Sequence, residues 1–306
     1  MTDPADIGRV LAERGPLTGA ELHAAVGGEV FGLWKACTRT PAVETRVIGR
    51  RYVRLDRTVE GFARLSPSIL REFMTYTVVG LPGREGDLDR AARRLQARTK
   101  AISRAKLRVA TRFAGEVFGP LAERGVAEED FCVLIAGDVV YDMSHDVARR
   151  ESSTGGRVDG SDLDLVVLAG DDVSPEAVEA VDSAIMQRKW LYLRNPASRE
   201  EVDYVVKRLS RLAEQTAFDT FPHMVACKVF DEARYLRGNA ALHEAGRRLL
   251  AERGIVERLR ELEEQAVRQR AAREEYLLGV DGDRLPVEHQ PQFYTDDEAA
   301  EFEHPS

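Results

Sequence analysis

Two aspartates stand one residue apart at the start of an apolar run. Asp162 and Asp164 flank Leu163, and the sequence Leu-Val-Val-Leu follows at 165–168. On a strand, the side chains of Asp162 and Asp164 point to one face while Leu163 points into the core. Neighbouring carboxylates repel each other unless a cation neutralises them, and hard oxygen ligands suit Mg²⁺. The spacing indicates a metal site, and the alternative is an Asp162 that caps a turn beside a solvated Asp164.

The surrounding residues resemble a known family signature. The sequence Gly-Ser-Asp-Leu-Asp at 160–164 follows an apolar stretch at 131–141, which is predicted as a strand that ends at Gly137. This arrangement resembles the nucleotidyltransferase superfamily related to DNA polymerase beta, over about residues 131–207. In that family a strand ends in Gly-Ser, an Asp-x-Asp pair follows on the next strand, and a third carboxylate lies on a later strand. The resemblance implies an enzyme that transfers a nucleoside monophosphate from an NTP to an acceptor and releases pyrophosphate.

The resemblance also implies the catalytic ligands. Asp162 and Asp164 match the family's pair, and Asp203, which follows Val202, is the best match for the third carboxylate. Two Mg²⁺ ions, held by these three aspartates, and an NTP substrate are the implied cofactor and ligand. Glu201 and Asp231 are the fallback positions for the third ligand.

Five further residues are implied to bind the nucleotide. They are Gly137, Asp138, Gly160, Ser161 and Lys228, the last of which lies inside an otherwise apolar helical stretch. A snorkelling lysine is the alternative for Lys228.

The chain departs from the family pattern before the aspartate pair. Asp138 stands where the family has a serine that holds the triphosphate, and 24 positions separate it from Asp162, where about ten are usual. The run Ser-Ser-Thr-Gly-Gly at 152–156 could replace that serine as a phosphate loop, or Asp138 could work differently. His145, in the same insert, is interpreted as incidental.

The bulk composition is that of an ordinary globular protein. The chain has 306 residues, 43% hydrophobic and 31% charged, and a net charge of −8. No run of about 18 apolar residues exists, so we expect no membrane contact. The acidic N-terminus is not typical of a signal peptide, and the three cysteines have no metal-ligand spacing, which favours a reducing cytoplasm.

The first 56 residues resemble a winged helix-turn-helix domain in the order of their elements. Three helices are predicted, with Thr18 and Glu21 forming a capping box on the second. Two alternating runs, 43–48 and 50–55, are predicted to pair as a hairpin around Gly49. This wing would carry four arginines, Arg46, Arg50, Arg51 and Arg54. The third helix has few base-reading side chains, so contact with DNA or with protein stays open.

The remaining chain is divided by its composition. We predict a linker at 57–86, a nucleotidyltransferase core with a mixed sheet at 87–208, a helical domain at 209–279 and an acidic tail at 280–306 that is disordered or loosely draped on the protein. The predicted fold class is therefore α+β, with a winged helix at the N-terminus and a helical region at the C-terminus.

The helix that leads the core is strongly basic. Between Arg90 and Arg112 it contains nine Lys and Arg residues and no acid. Solvated helices usually mix both signs, so this one is predicted to face an acidic surface of the same protein or a polyanion such as a triphosphate or RNA. RNA or another macromolecule is accordingly the favoured acceptor. The rival hypothesis is a DNA-binding regulator or scaffold with an inactive nucleotidyltransferase domain.

Overall fold

The computed structural model describes residues 3–151, 155–196, 199–295 and 298, and the predicted α+β class is confirmed. The chain divides into two compact units. Among the described residues, the first unit contains those of 1–54, 63–99 and 263–305, and the second contains those of 55–62 and 100–262.

The described helices and strands alternate along the chain. The helices are α1 (Pro4–Arg14), α2 (Gly19–Val26), α3 (Val30–Arg39), α4 (Ile69–Tyr76), α5 (Glu85–Ala122), α6 (Pro175–Arg194), α7 (Leu209–Gln215), α8 (Phe221–Glu232), α9 (Ala240–Glu252), α10 (Ile255–Gly279) and α11 (Gln290–Phe293). The strands are β1 (Leu17–Thr18), β2 (Glu44–Val47), β3 (Tyr52–Leu55), β4 (Ala63–Ser66), β5 (Thr77–Gly80), β6 (Phe131–Ala136), β7 (Ala148–Arg150), β8 (Arg157–Asp159), β9 (Leu163–Ala169), β10 (Val202–Arg208) and β11 (Arg234–Gly238). None of the described helices combines the length and the apolar character that crossing a membrane requires.

The first unit packs helices α1 to α4 around a small antiparallel sheet of order β1–β5–β2. The predicted capping box at α2 is confirmed: Glu21 N donates to Thr18 Oγ1 (3.2 Å), and Thr18 N donates to Glu21 Oε2 (2.8 Å). These bonds satisfy backbone donors that the first turn of a helix otherwise leaves unpaired.

The predicted wing hairpin is wrong in its pairing. β2 pairs with β5, with Thr45 opposite Val79, while β3 pairs with β4. An alternating run fixes which face is buried but not which strand lies beside it, and the fully buried β5 supplies the better apolar partner. The predicted wing arginines are engaged within the protein: Arg46 contacts Glu44 and Asp89, Arg51 contacts Glu72, and Arg50 and Arg54 also have partners.

The segment predicted as a linker, 57–86, is part of the fold. It contains β4, α4 and β5, and Ile69, Leu70 and Phe73 are buried in the core of the first unit. The Pro/Gly-rich sequence at 80–86 marks a turn before α5 rather than a domain boundary.

The tail predicted as disordered is packed where the structure describes it. Leu285 and Phe293 are buried, and the Phe293 ring contacts Phe31 (5.4 Å between centroids) and Trp34 (5.3 Å). The prediction of disorder relied on the net charge of the segment. A few large apolar side chains, such as Leu285 and Phe293, are nevertheless enough to hold a short peptide against a core.

The second unit is built on a four-stranded sheet of order β10–β9–β6–β11. β10 runs parallel to β9, while β6 is antiparallel to both β9 and β11. Alternate residues of β6 and β9 enter two cores: Leu165 and Val167 pack with α5 and α6, and Val166 and Leu168 pack with α7 to α10. The central strands are buried on both faces, which explains their nearly continuous apolar sequence.

Because α7, α8, α9 and the first turns of α10 cover one face of this sheet, they do not form the separate helical domain predicted at 209–279. Leu212, Phe230 and Leu250 share one core with Cys132 and Leu134 of β6. The predicted helical region is also interrupted by β11, which pairs with β6.

Candidate metal centre

The parallel pair β9 and β10 brings the three predicted ligands together. Asp203 is the direct partner of Asp164 in the register of the two strands, and Asp162 lies one residue before β9 begins. One carboxylate oxygen from each of Asp162, Asp164 and Asp203 lies within 4.8 Å of the other two. We call this group the aspartate centre. Its convergence follows from period-2 alternation and from neighbouring strands that begin at one edge of the sheet.

The aspartate centre is strongly negative. Burial raises the pKa of Asp164 well above its ordinary value, and the carboxylates of Asp162, Asp138, Asp203 and Glu232 raise it further. Within the described residues, the Asp164 side chain makes no hydrogen bond or ion pair. An acidic group in this setting is held ionised only if a cation compensates it. The donor set, all carboxylate oxygens, is the set that Mg²⁺ prefers.

Two cations contact the outer members of the centre. Arg149 Nη2 lies 3.2 Å from Asp162 Oδ1, and Lys189 Nζ lies 3.0 Å from Asp203 Oδ1. Each contact involves one oxygen of the carboxylate. Asp203 is the most exposed of the three aspartates, with 54% of its side chain exposed.

Two ion pairs anchor the segment that leads into β10, and we call them the anchoring pairs. Glu200 Oε2 accepts from Lys106 Nζ of α5 (2.6 Å), and Glu201 Oε2 lies 2.6 Å from Arg149 Nη2 of β7. Burial raises the pKa of both glutamates, while their cationic partners act in the opposite direction.

The same two cations also hold the segment that leads into β9. Lys106 Nζ donates to the backbone oxygen of Asp159 (3.0 Å), and Arg149 Nε donates to that of Gly160 (3.1 Å). The starts of β9 and β10 are therefore fixed to each other. Glu201 is thus an ion-pair partner of Arg149, whereas Asp203 lies in the aspartate centre.

Gly160 and Ser161 shape the turn before the aspartate pair. Gly160 has φ +82°, and a Cβ there would lie 1.9 Å from the backbone oxygen of His145, so only glycine fits. The buried Ser161 hydroxyl donates to Asp138 Oδ2 (2.9 Å) and accepts from the backbone N–H of His145 (3.2 Å). An aspartate at position 138 is therefore compatible with this turn because it accepts the Ser161 hydroxyl.

Gly137 lies directly against the aspartate centre. It has φ +69°, and a Cβ there would lie 2.0 Å from Asp164 Oδ2, so a side chain would displace the carboxylate. The backbone N–H of Gly137 donates to Glu232 Oε1 (3.3 Å), and the Tyr141 hydroxyl donates to Glu232 Oε2 (2.5 Å). The buried Lys228, one helical turn before Glu232 on α8, donates to the same carboxylate and lies 3.5 Å from the Tyr141 hydroxyl.

Several residues at this centre were missed by the sequence reasoning. Arg149 and Glu232 come from segments distant in the chain, and only their charge could have drawn attention to them. Lys106 was predicted only as one of the nine cations of the basic helix, and its ion pair with Glu200 agrees with the alternative that this helix meets acidic groups of the same protein. Of the residues predicted earlier, Asp231 is not part of the aspartate centre. The alternative phosphate loop, 152–156, lies outside the described residues except for Gly155 and Gly156.

Two comparisons with known proteins do not assign this chain to a family. No protein-family model matches the chain, and a search of curated proteins gives no match either.

Proposed function

We propose that the second unit is a Mg²⁺-dependent nucleotidyltransferase, which moves a nucleoside monophosphate from an NTP to an acceptor and releases pyrophosphate. The observation that carries the proposal is the convergence of Asp162, Asp164 and Asp203 at one edge of the sheet, with oxygens within 4.8 Å of one another.

The residues present fit the metal that this reaction requires. Asp162, Asp164 and Asp203 would hold two Mg²⁺ ions, and the repulsion between the partly buried Asp164 and its four carboxylate neighbours is the feature that a cation would relieve. When bound, Mg²⁺ neutralises triphosphate charge and makes an acceptor hydroxyl more acidic. Apart from this, phosphoryl-type transfer requires the protein mainly to position the reacting groups.

The chain's own residues take the remaining roles. Asp203, the most exposed aspartate, orients the acceptor hydroxyl and accepts its proton at a carboxylate oxygen. The acceptor oxygen bonds to the α-phosphorus, the bond from that phosphorus to the bridging oxygen breaks, and pyrophosphate leaves with the electron pair. The absence of a side chain at Gly137 keeps the Asp164 carboxylate in place. Lys228 is assigned to the departing phosphates, and Glu232 holds it while the site is empty of nucleotide.

The first unit is proposed as a docking module for DNA or protein. Its element order, α1–β1–α2–α3–β2 with β5 completing the sheet, supports the resemblance to a winged helix, which stays a prediction. The three cysteines, Cys37, Cys132 and Cys227, are buried free thiols, which supports a cytoplasmic location.

The test is an assay of the full-length protein with each NTP, labelled at the α-phosphate, and Mg²⁺. Pyrophosphate release and labelling of an RNA or protein acceptor are expected from the wild type and not from Asp164→Asn. The matched control is Asp172→Asn, which removes an exposed carboxylate beyond the opposite end of β9. Equal behaviour of wild type and Asp164→Asn, together with binding to a DNA duplex, would instead support a regulator with an inactive transferase domain.

A further inference from the structure

Four cations form a row on the exposed side of α5. Lys100, Arg104, Arg108 and Arg112 follow one another at intervals of four residues, and all four are exposed. We call this row the basic ladder. At a rise of about 1.5 Å per residue, its members are about 6 Å apart along the helix and span about 18 Å.

Three of the four members of the basic ladder lack acidic partners among the described residues, whereas Glu116 and Glu200 interact electrostatically with Arg112. Within the described residues, Lys100, Arg104 and Arg108 make no hydrogen bond or ion pair, while Arg112 Nε donates to the Tyr192 hydroxyl (3.4 Å). Like charges four residues apart on a helix repel each other. The chain has 52 acids against 44 Lys and Arg residues, so compensating acids are abundant but are not placed here. The sequence expectation that this helix faces an acidic surface of the same protein therefore finds no support at these three residues.

The opposite side of the same helical turns holds the loops of the aspartate centre. Ser103 Oγ accepts from the backbone N–H of Ser144 (3.0 Å), and Lys106 donates to the backbone oxygen of Asp159, three residues before Asp162. A polyanion bound along the basic ladder would thus lie on the helix that positions the transferase site.

We propose that the basic ladder binds the phosphodiester backbone of an RNA acceptor, an inference that rests on the proposed transferase function. Arginine suits phosphate because its guanidinium donates two parallel hydrogen bonds. The exposed residues between the cations, Ala101, Leu107 and Thr111, carry no amide side chain that reads bases. Binding is therefore independent of sequence. RNA is favoured over DNA because RNA alone offers a 2′-hydroxyl at every nucleotide, in addition to the terminal hydroxyl that both have.

The test is fluorescence anisotropy with a short labelled single-stranded RNA, the DNA strand of the same sequence and a DNA duplex, each over a range of salt concentration. The variant Lys100→Ala/Arg104→Ala/Arg108→Ala removes three exposed cations and should remain folded. We expect it to weaken RNA binding by roughly tenfold or more and to lower the salt slope by about 2, because about 0.7 counterions are released for each single-strand phosphate contact.

A matched control removes the same charge elsewhere in the second unit. Arg248, Arg253 and Arg260 are exposed cations that also make no hydrogen bond or ion pair within the described residues. The variant Arg248→Ala/Arg253→Ala/Arg260→Ala should bind RNA like the wild type. Equal losses in both triple variants, no RNA binding by the wild type, or DNA binding as tight as RNA binding would each overturn the proposal.

Failure of this inference can be told apart from failure of the transferase function. Asp164→Asn should bind RNA normally while losing nucleotide transfer, and the ladder variant should lose RNA binding while still hydrolysing NTP to NMP and pyrophosphate, with water as the acceptor. If neither the wild type nor any variant turns over NTP but RNA binding still depends on the basic ladder, the proposal that the ladder binds RNA is supported and the transferase proposal fails.

Discussion

Acidic side chains with little exposure to solvent have opposite surroundings in the two units. In the first unit, Glu72 is buried between Arg51, whose guanidinium donates two bonds of 2.6 Å, and Arg270, which lies 3.1 Å away. In the second unit, Asp164 faces four other carboxylates and has no cationic partner within the described residues. A buried charge with partners of opposite sign is explained by the fold alone. A partly buried charge among like charges is not, and it points to a ligand that the protein has yet to bind.

The largest effect that tests this contrast is expected from Asp164→Asn. Removing one carboxylate from the aspartate centre should lower transfer activity by about 10³-fold, which corresponds to several kcal/mol of lost charge stabilisation. The same change should stabilise the metal-free protein by roughly 0.5–2 kcal/mol, because it relieves repulsion. Radiolabel transfer and urea unfolding in EDTA measure the two effects. A metal-free protein that becomes less stable would show that Asp164 is a structural residue.

Glu72→Gln should have the opposite pair of effects, a loss of stability with no change in transfer activity. Loss of this charge weakens the two hydrogen bonds from Arg51 and removes one of the two carboxylates beside the buried Arg270, and it should destabilise the protein by about 1.5–3 kcal/mol. The transfer rate, measured at a temperature where the variant is still folded, should be unchanged. Glu274→Gln is the control, because Glu274 pairs with the same arginines but is 30% exposed, and it should cost only about 1 kcal/mol. A specific loss of activity in Glu72→Gln would remove the distinction between the two regions.

Arg149→Gln should have an intermediate effect, because Arg149 acts through the residues that it positions. Its contacts with Asp162, Glu201 and the Gly160 backbone fix the relative placement of the two strands. We expect a 10- to 100-fold rise in the Mg²⁺ concentration needed for half-maximal activity, about the effect of removing a residue that orients metal ligands. Arg149→Lys should restore part of this affinity. Arg157→Gln, which removes a cation of β8 that is 51% exposed, is the control. An unchanged Mg²⁺ requirement in Arg149→Gln would exclude the positioning role.

The contrast also separates what the sequence could predict from what it could not. The aspartate centre was predictable, because Asp162 and Asp164 flank Leu163 at the start of one strand and Asp203 lies within a second valine-rich strand. The anchoring pairs were not, because Lys106 and Glu200 are 94 residues apart and nothing local links them. The capping box at Thr18 involves only neighbouring residues and was predicted correctly. The partner of β2 was not, because pairing with β5 is decided by packing over more than 30 residues. Local periodicity thus predicts which face a residue occupies, and long-range packing decides what it meets.

The smallest expected effect is a pH dependence of the metal-free protein. The pKa of Asp164 is raised in the folded state by burial and by its neighbouring carboxylates, so the folded protein binds a proton more tightly than the unfolded chain does. Stability without metal should therefore fall as the pH rises through the range between the unfolded and the folded pKa, and remain lower above it. Thermal unfolding in EDTA and in Mg²⁺, at several values between about pH 5 and pH 8, measures this. Mg²⁺ should raise the unfolding temperature more at the higher pH, where Asp164 is ionised, and this pH-dependent gain should be absent in Asp164→Asn. An equal gain from Mg²⁺ in that variant would place the ion away from Asp164, and the charge repulsion described above would then need another explanation.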